Sequence, residues 1–373
     1  MQLIDLKAQY IHINDRINTR INRVLAHGQY IMGPEVTELE ERLANYVGVK
    51  HVISCANGTD ALQLSLMALG IGPGDAVIVP TFTFFASAEA ISFVGATPVF
   101  VDIDPYSFNI SCELLEDTIR KVESLSDLTL KAIMGVDLFG QPADYKTISS
   151  IAQKYNLRVI EDAAQGFGGS LNGKIVGSFG DIATTSFFPA KPLGCYGDGG
   201  AIFTNNDDYA ELLSSLRVHG KGGNKYDNVR IGMNSRLDTI QAAILLEKLD
   251  VFPDELRRRN QIAALYDSLL GHYKKIQTPY LNALAKSSWA QYTVLTLSES
   301  RNYYINKLKQ QGISSAIYYE TCMHQQTAFK QLKNQVHDNF PVAERVSQRC
   351  FSLPMHPYLA DEEIQRVVEV LIQ

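Results

Sequence analysis

Arg158-Val159-Ile160-Glu161-Asp162-Ala163-Ala164-Gln165 reads as a short apolar strand that runs directly into two carboxylates. A charge at the end of a buried strand is unfavourable unless something compensates it, so the stretch both marks a sheet strand and demands a partner. On either side of it, short runs rich in β-branched residues recur at His51–Ser54, Ala76–Val79, Pro98–Val101, Ala132–Val136, Ile182–Thr185 and Ala201–Thr204, with helical patterns between most of them. This alternation predicts an α/β fold with a mainly parallel central sheet flanked by helices on both faces. One helix is well marked: Thr59 is placed to cap it, Leu62, Leu66 and Leu69 repeat at helical spacing, and Gly70 and Gly72-Pro73-Gly74 stop it.

From about Val251 the pattern changes. A long polar helix is expected there, then an extended run at Trp289–Thr296, a helix at Ser300–Gln311 and a strand at Ser314–Tyr319. The expected organisation is a large α/β domain over 1–250 and a smaller C-terminal α+β domain over 251–373. The run Asp254-Glu255-Leu256-Arg257-Arg258-Arg259 reads as a solvated helix face.

Composition narrows the classes of function. The chain has 373 residues, of which 46% are hydrophobic, enough to bury a large core. Its 40 acidic and 34 basic residues are scattered, and no basic stripe suited to a phosphate backbone is present, which argues against nucleic acid as a partner. Cys55, Cys112, Cys195, Cys322 and Cys350 are odd in number and contain no C-x-x-C pair, so neither a disulfide framework nor a zinc site is expected, and a reducing cytoplasm fits. Met1 to Tyr10 lacks the pattern of an export signal and no window reaches membrane-spanning length, so a soluble, unexported protein is expected. The eight histidines show no H-x-H or H-E-x-x-H spacing, and no P-loop or G-x-S-x-G elbow occurs.

Ligands of parallel sheets bind beyond the carboxyl ends of the strands, and three such ends carry chemistry. Asn57-Gly58-Thr59-Asp60 opens a helix whose first N–H groups suit a phosphate, although a plain strand-to-helix turn has the same pattern. Asp162 reads as a helix cap, one half of a buried ion pair, or a carboxylate facing a protonated heterocyclic nitrogen. Lys191 lies in Ser186-Phe187-Phe188-Pro189-Ala190-Lys191-Pro192-Leu193-Gly194, among apolar and small residues. It reads either as a snorkelling surface lysine or as a partly desolvated amine whose neutral form makes imines.

Taken in order, these motifs resemble the DegT/StrS-type nucleotide-sugar aminotransferases, which are fold-type I enzymes dependent on pyridoxal 5′-phosphate (PLP). The resemblance rests on Ile4-Asp5-Leu6, Gly33-Pro34-Glu35, Asn57 to Leu62, Val79-Pro80-Thr81-Phe82-Thr83-Phe84, Glu161 to Gln165, Ser186 to Lys191, Gly197-Asp198-Gly199-Gly200 and Asn234-Ser235-Arg236-Leu237-Asp238. It implies that Lys191 forms the covalent link to PLP, Asp162 pairs with the pyridine nitrogen, Phe84 stacks on the ring and Gln165 lies near the phenolic oxygen. It further implies a phosphate held by Gly58, Thr59 and Ser186, with Asn234 contributed by the neighbouring subunit of an obligate homodimer. L-Glutamate is the implied amino donor, with ping-pong kinetics.

Arg217-Val218-His219-Gly220, together with Lys225 to Arg230, is similar to the branch that aminates C3 of a UDP-linked 2-acetamido-3-keto-hexuronate in surface-polysaccharide biosynthesis. In that branch Arg236 is suited to pair bidentately with a sugar carboxylate, the other readings being the amino donor's carboxylate or a structural acid. His219, Tyr226, Tyr318 and His324 match positions near the substrate. Tyr319-Glu320-Thr321-Cys322-Met323 departs from the family's apolar, proline-containing run. Three other functions stay open: C4 amination of a UDP- or dTDP-4-keto-6-deoxy sugar, a non-catalytic PLP-binding sensor, and a dehydratase. The last is disfavoured because dehydratases of the family carry histidine where this chain has Lys191.

Overall fold

The computed structural model describes residues 1–125, 127–224, 226–330, 332, 336–337 and 339–373. Its central sheet contains β1 (His51–Cys55), β2 (Asp75–Pro80), β3 (Thr97–Val101), β4 (Thr129–Val136), β5 (Arg158–Asp162), β6 (Ile182–Ser186) and β7 (Gly200–Thr204), in the order β1-β7-β6-β5-β4-β2-β3. Each of the runs singled out from the sequence forms one of these strands. Pairing is parallel from β3 through β2, β4 and β5 to β6. β7 runs antiparallel to both of its neighbours, β6 and β1.

Helices α1 (Leu6–His27), α2 (Pro34–Val47), α3 (Gly58–Ala68), α4 (Phe85–Phe93), α5 (Cys112–Leu125) and α6 (Tyr145–Lys154) precede or separate the strands, and α7 (Asp207–Leu216) follows them. Strand β2 shows why its sequence is apolar throughout. Ala76 and Ile78 pack with Leu115 and Ile119 of α5 and Ile148 of α6, whereas Val77 and Val79 pack with Leu62 and Leu66 of α3 and Ile91 of α4. Successive side chains alternate between faces, and both faces are covered. Each fully buried valine or isoleucine contributes about 2 kcal/mol of hydrophobic stabilisation.

Three expectations need correction. Thr59 does not cap α3: Asn57 does, its side chain accepting the Asp60 N–H at 2.8 Å. An Asn cap satisfies the same kind of orphan donor two residues earlier, and the shift leaves Thr59 inside the first turn. The strand expected over Ser314–Tyr319 reduces to a single bridge, Ala316 with Ser352. Beyond it the chain turns inward, so that Tyr318 and Tyr319 line a cavity instead of extending a sheet. The run from Asp254 to Arg259 is not uniformly solvated, because Glu255 and Arg259 are buried. Glu255 accepts from Gln9 and from the Tyr358 hydroxyl, while Arg259 donates to the carbonyls of Trp289 and Met355.

Both of those residues lie on α8 (Thr239–Leu270), a 32-residue helix about 48 Å long that runs without a break past position 250. Its first half packs with the central sheet through Ala242, Leu245, Leu246 and Leu249, and its second half enters the C-terminal core through Ile262, Tyr266 and Leu270. That core also contains an antiparallel sheet of β8 (Ile276–Gln277), β9 (Tyr292–Thr296) and β10 (Cys350–Leu353). Helices α9 (Arg301–Gln310), capped by Ser300, and α11 (Asp361–Ile372) complete it, whereas α10 (Pro341–Arg349) packs through Ala343 and Val346 with the cluster that includes Val77 and Val79 of β2. Among the described residues no helix is long and apolar enough to cross a membrane.

Candidate active site

The strand ends of β1, β5 and β6 converge on a cavity of about 470 Å³. Asn57, Gly58 and Thr59 reach it from the start of α3, Thr83 and Phe84 from the start of α4, and Asp162, Ala164 and Gln165 from the end of β5. Ser186 and Lys191 come from the segment after β6, and Gln291, Tyr318 and Tyr319 from the C-terminal region.

Asp162 is buried at the end of β5. The Ser87 hydroxyl donates to its Oδ2 at 2.8 Å, and the Ala164 N–H to its Oδ1 at 3.2 Å. A second hydroxyl, Thr83 Oγ1, stands 3.0 Å from Ser87 Oγ and extends the chain of polar groups. Burial raises the Asp162 pKa, while Ser87, Ala164 and the charge of Lys191 pull it back. The same burial lowers the Lys191 pKa against the attraction of Asp162. An amine with a lowered pKa supplies the neutral form that attacks carbonyls. Its Nζ lies 6.0 Å from the centroid of Phe84, whose ring is half exposed at the cavity wall and 6.1 Å from the Tyr319 ring.

The α3 end of the cavity is shaped for an anion. Neither the Gly58 nor the Thr59 N–H has an acceptor among the described residues, as befits the first turn of a helix. Position 58 admits only glycine: a Cβ there would stand 2.6 Å from Ser186 Cβ. Ser186 Oγ accepts the Phe188 N–H at 3.2 Å, which leaves its own hydrogen to donate. Backbone donors, a helix N-terminus and a hydroxyl form a cradle for phosphate oxygens.

Gln165 is oriented from both ends. Its Oε1 accepts the Phe139 N–H at 2.8 Å and its Nε2 donates to the Tyr319 hydroxyl at 3.0 Å, leaving one amide hydrogen. On the other face of β5, Glu161 accepts the N–H groups of Gly177 and Phe179, both at 2.8 Å. Nearby Asp137 accepts from Ala143 and is pushed up to about 7 by burial, with Glu161 also held well above the ordinary carboxylate range.

The fold thus brings together Gly58, Thr59, Phe84, Asp162, Gln165, Ser186, Lys191 and Tyr318. It does not bring Asn234, Arg236, His219, Tyr226 or His324 to this cavity. His324 is occupied elsewhere, its Nδ1 2.6 Å from Thr81 Oγ1 and its Nε2 3.0 Å from Glu344 Oε1. Asn234 is exposed and bridges Val218, and Tyr226 is 84% exposed. His219 lines a separate open cavity with Lys221 and Arg230. Half-buried Arg236 has no hydrogen-bond or ion-pair partner among the described residues, and Lys225 lies outside them. Ser87 and Tyr319 were missed from sequence. Ser87 carried no signal, but Tyr319 adjoins Tyr318, which the resemblance had already pointed to.

A family model described as the DegT/DnrJ/EryC1/StrS aminotransferase family matches residues 12–372. The chain belongs to this family. A curated relative from Pseudomonas aeruginosa, UDP-2-acetamido-2-deoxy-3-oxo-D-glucuronate aminotransferase, is 48% identical over 371 residues, covering 100% of this chain and 99% of its own. The solved DegT DnrJ EryC1 StrS aminotransferase from Brucella abortus superposes with a TM-score of 0.96 at 50% identity, covering 100% of this chain and 98% of the other. NtdA from Bacillus subtilis, solved with bound PMP, gives a TM-score of 0.86 at 31% identity over 99% of this chain and 82% of its own. The fold is therefore the fold-type I architecture that the resemblance implied, and the protein is a sugar aminotransferase of the DegT/DnrJ/EryC1/StrS family.

Proposed function

We propose that this protein transfers the amino group of L-glutamate to the C3 keto group of UDP-2-acetamido-2-deoxy-3-keto-glucuronate, in the biosynthesis of a surface polysaccharide such as lipopolysaccharide O-antigen. The observation that carries the reading is the pairing of a buried carboxylate, Asp162, with a desolvated amine, Lys191, in a cavity whose far end is an anion cradle. That set fits PLP at three points: an aldehyde for the amine, a ring nitrogen for the carboxylate and a phosphate for Gly58, Thr59 and Ser186. The named activity of the Pseudomonas aeruginosa relative supports the substrate.

When bound, PLP supplies an aldehyde that exchanges amines and a ring that accepts electrons. Lys191 carries out the proton transfers. Its neutral amine would take a proton from the donor's α-carbon and return it to the former aldehyde carbon, two bonds away, and the sugar half-reaction would use the same amine in reverse. Asp162, kept in place by Ser87 and Ala164, holds a proton at the ring nitrogen. Phe84 and Tyr319, at the cavity wall, would shield the ring from water, and Gln165 would offer its remaining amide hydrogen to the phenolic oxygen.

Asn234 and Arg236 are assigned to the partner subunit's site, Asn234 toward the phosphate and Arg236 toward the hexuronate carboxylate. Their exclusion from this chain's own cavity supports that assignment, which makes the working unit a homodimer. His219, Tyr226 and Tyr318 are assigned to the nucleotide sugar. The five free thiols fit a cytoplasmic setting. The test is incubation with PLP, L-glutamate and either 3-keto or 4-keto UDP-sugars, followed by mass spectrometry. Amination of the 3-keto hexuronate with release of 2-oxoglutarate is expected; amination of the 4-keto sugar alone sinks the C3 reading.

A further inference from the structure

The turn that carries Lys191 is fastened from behind by α8. Gln241 and Lys248 stand seven residues apart on that helix, about two turns, and so share a face. Gln241 Oε1 accepts the Tyr196 N–H at 3.0 Å. Its carboxamide also fills the space beside Gly197, where a Cβ would stand 2.8 Å from Nε2. Two turns further on, Lys248 is 1% exposed. Its Nζ donates to the Gly194 carbonyl at 2.6 Å and lies 4.2 Å from the centroid of the Tyr196 ring. Residues 194, 196 and 197 are thus gripped by two side chains of one helix, close behind Lys191 in the chain.

The backbone of the same segment is closed on itself. Phe187 N–H donates to Gly199 O at 2.7 Å, Cys195 N–H to Phe187 O at 2.7 Å, and Lys191 N–H to Phe188 O at 2.8 Å. Tightening the 194–197 limb therefore fixes the limb that bears Lys191.

A lysine is an unfavourable choice for packing alone. An ammonium withdrawn from water is disfavoured unless its surroundings use the charge, and methionine would fill a similar volume without that penalty. Here the charge is used: a carbonyl oxygen takes one hydrogen and an aromatic face takes the cation. Burial nevertheless pulls Lys248 down to about 8, opposed by the charge of Glu255, which stands a further seven residues along the helix.

We propose that Lys248 is a positioning residue for transamination: its ammonium, set between the Gly194 carbonyl and the Tyr196 ring, fixes the turn that aims the Lys191 amine into the cavity. The proposal rests on Lys191 being the amine that carries PLP, which borohydride fixation of the cofactor to the peptide containing Lys191 tests by itself.

The experiment compares full-length wild type, Lys248→Met and Lys248→Arg. Amide hydrogen exchange is followed in the cofactor-free proteins over peptides from 187–199, with peptides from β4 and α6 as internal references. In Lys248→Met, exchange in 187–199 rises at least about tenfold while the references hold, and Lys248→Arg, which keeps the charge, stays within about threefold of wild type. In the loaded enzymes Lys248→Met lowers kcat at least about tenfold with KM for the nucleotide sugar within about twofold of wild type. Unchanged exchange in 187–199, an equal rise in the reference peptides, or an arginine variant as loose as the methionine one overturns the proposal. Should Lys248→Met not fold, Tyr196→Leu removes the ring and leaves the lysine; a selective rise in 187–199 is again expected, and unaltered protection there overturns the proposal. Failed borohydride fixation strikes the functional reading instead, and is told apart because the exchange measurement uses no cofactor.

Discussion

The cavity around Lys191 and the segment from Arg217 to Arg236 differ in how far one chain completes them. In the cavity Asp162 has two hydrogen-bond donors, Gln165 is held from both ends, and Gly58 abuts Ser186. In the segment, Asn234 and Tyr226 are exposed, and Val229 and Ile231 present apolar side chains at 53% and 88% exposure. Apolar groups left this open beside polar ones are common on surfaces that bind other molecules. The contrast teaches that the groups proposed to hold the cofactor are assembled within one folded chain, whereas Asn234, Arg236, His219 and Tyr226 lie apart from its cavity.

The most severe test removes the amine. Lys191→Ala is expected to lower transamination at least about a thousandfold, read as 2-oxoglutarate release, while the cavity still admits PLP. If the segment serves the partner's cavity, mixing Lys191→Ala subunits with Asn234→Asp subunits restores activity that neither homodimer shows. No recovery after verified subunit exchange would place both residues in a single-chain site and erase the contrast.

Asp162→Asn is expected to bind PLP yet lower kcat about a hundredfold, because a neutral amide cannot hold a proton at the ring nitrogen. A near-normal rate would remove Asp162 from that role. Arg236→Lys keeps the charge but loses bidentate geometry, and should raise KM for the hexuronate about tenfold with kcat little changed. An unaltered KM would move the sugar's carboxylate to another partner.

The smallest effect concerns the far face of β5. In the fold Asp137 stays neutral up to about pH 7, above its ordinary 3.8. The unfolded chain loses that proton earlier, so this group's contribution to stability is greatest at low pH and declines as pH rises from about 3.8 through about 7. Asp137→Asn should flatten that decline, gaining about 1–2 °C in Tm at pH 8 relative to pH 5. An unchanged pH slope would mean that Asp137 does not hold its proton more tightly in the folded chain.

Much of the central sheet was legible because its strands are short β-branched runs covered on both faces, a pattern that leaves few other readings. Asp162 was legible for a related reason, as a carboxylate ending an apolar strand. The rest depended on contacts that spacing does not encode. Whether Asn57 or Thr59 caps α3 turns on a local dihedral choice between two competent residues. Glu255 and Arg259 look solvated in a charged run, yet their partners Gln9, Tyr358, Trp289 and Met355 lie far away in sequence. Ile317 to Tyr319 are β-prone, but the chain turns Tyr318 and Tyr319 toward the cavity, where burial of two aromatic rings outweighs local propensity.

Helix α8 carries one more implication, for motion. Pro253 lies inside the helix and has no N–H to donate to the carbonyl of residue 249, so any bending of the C-terminal part against the sheet is concentrated at this step. A packing defect placed around Tyr266 would then be taken up in part at this proline, before it could disturb the turn behind Lys191.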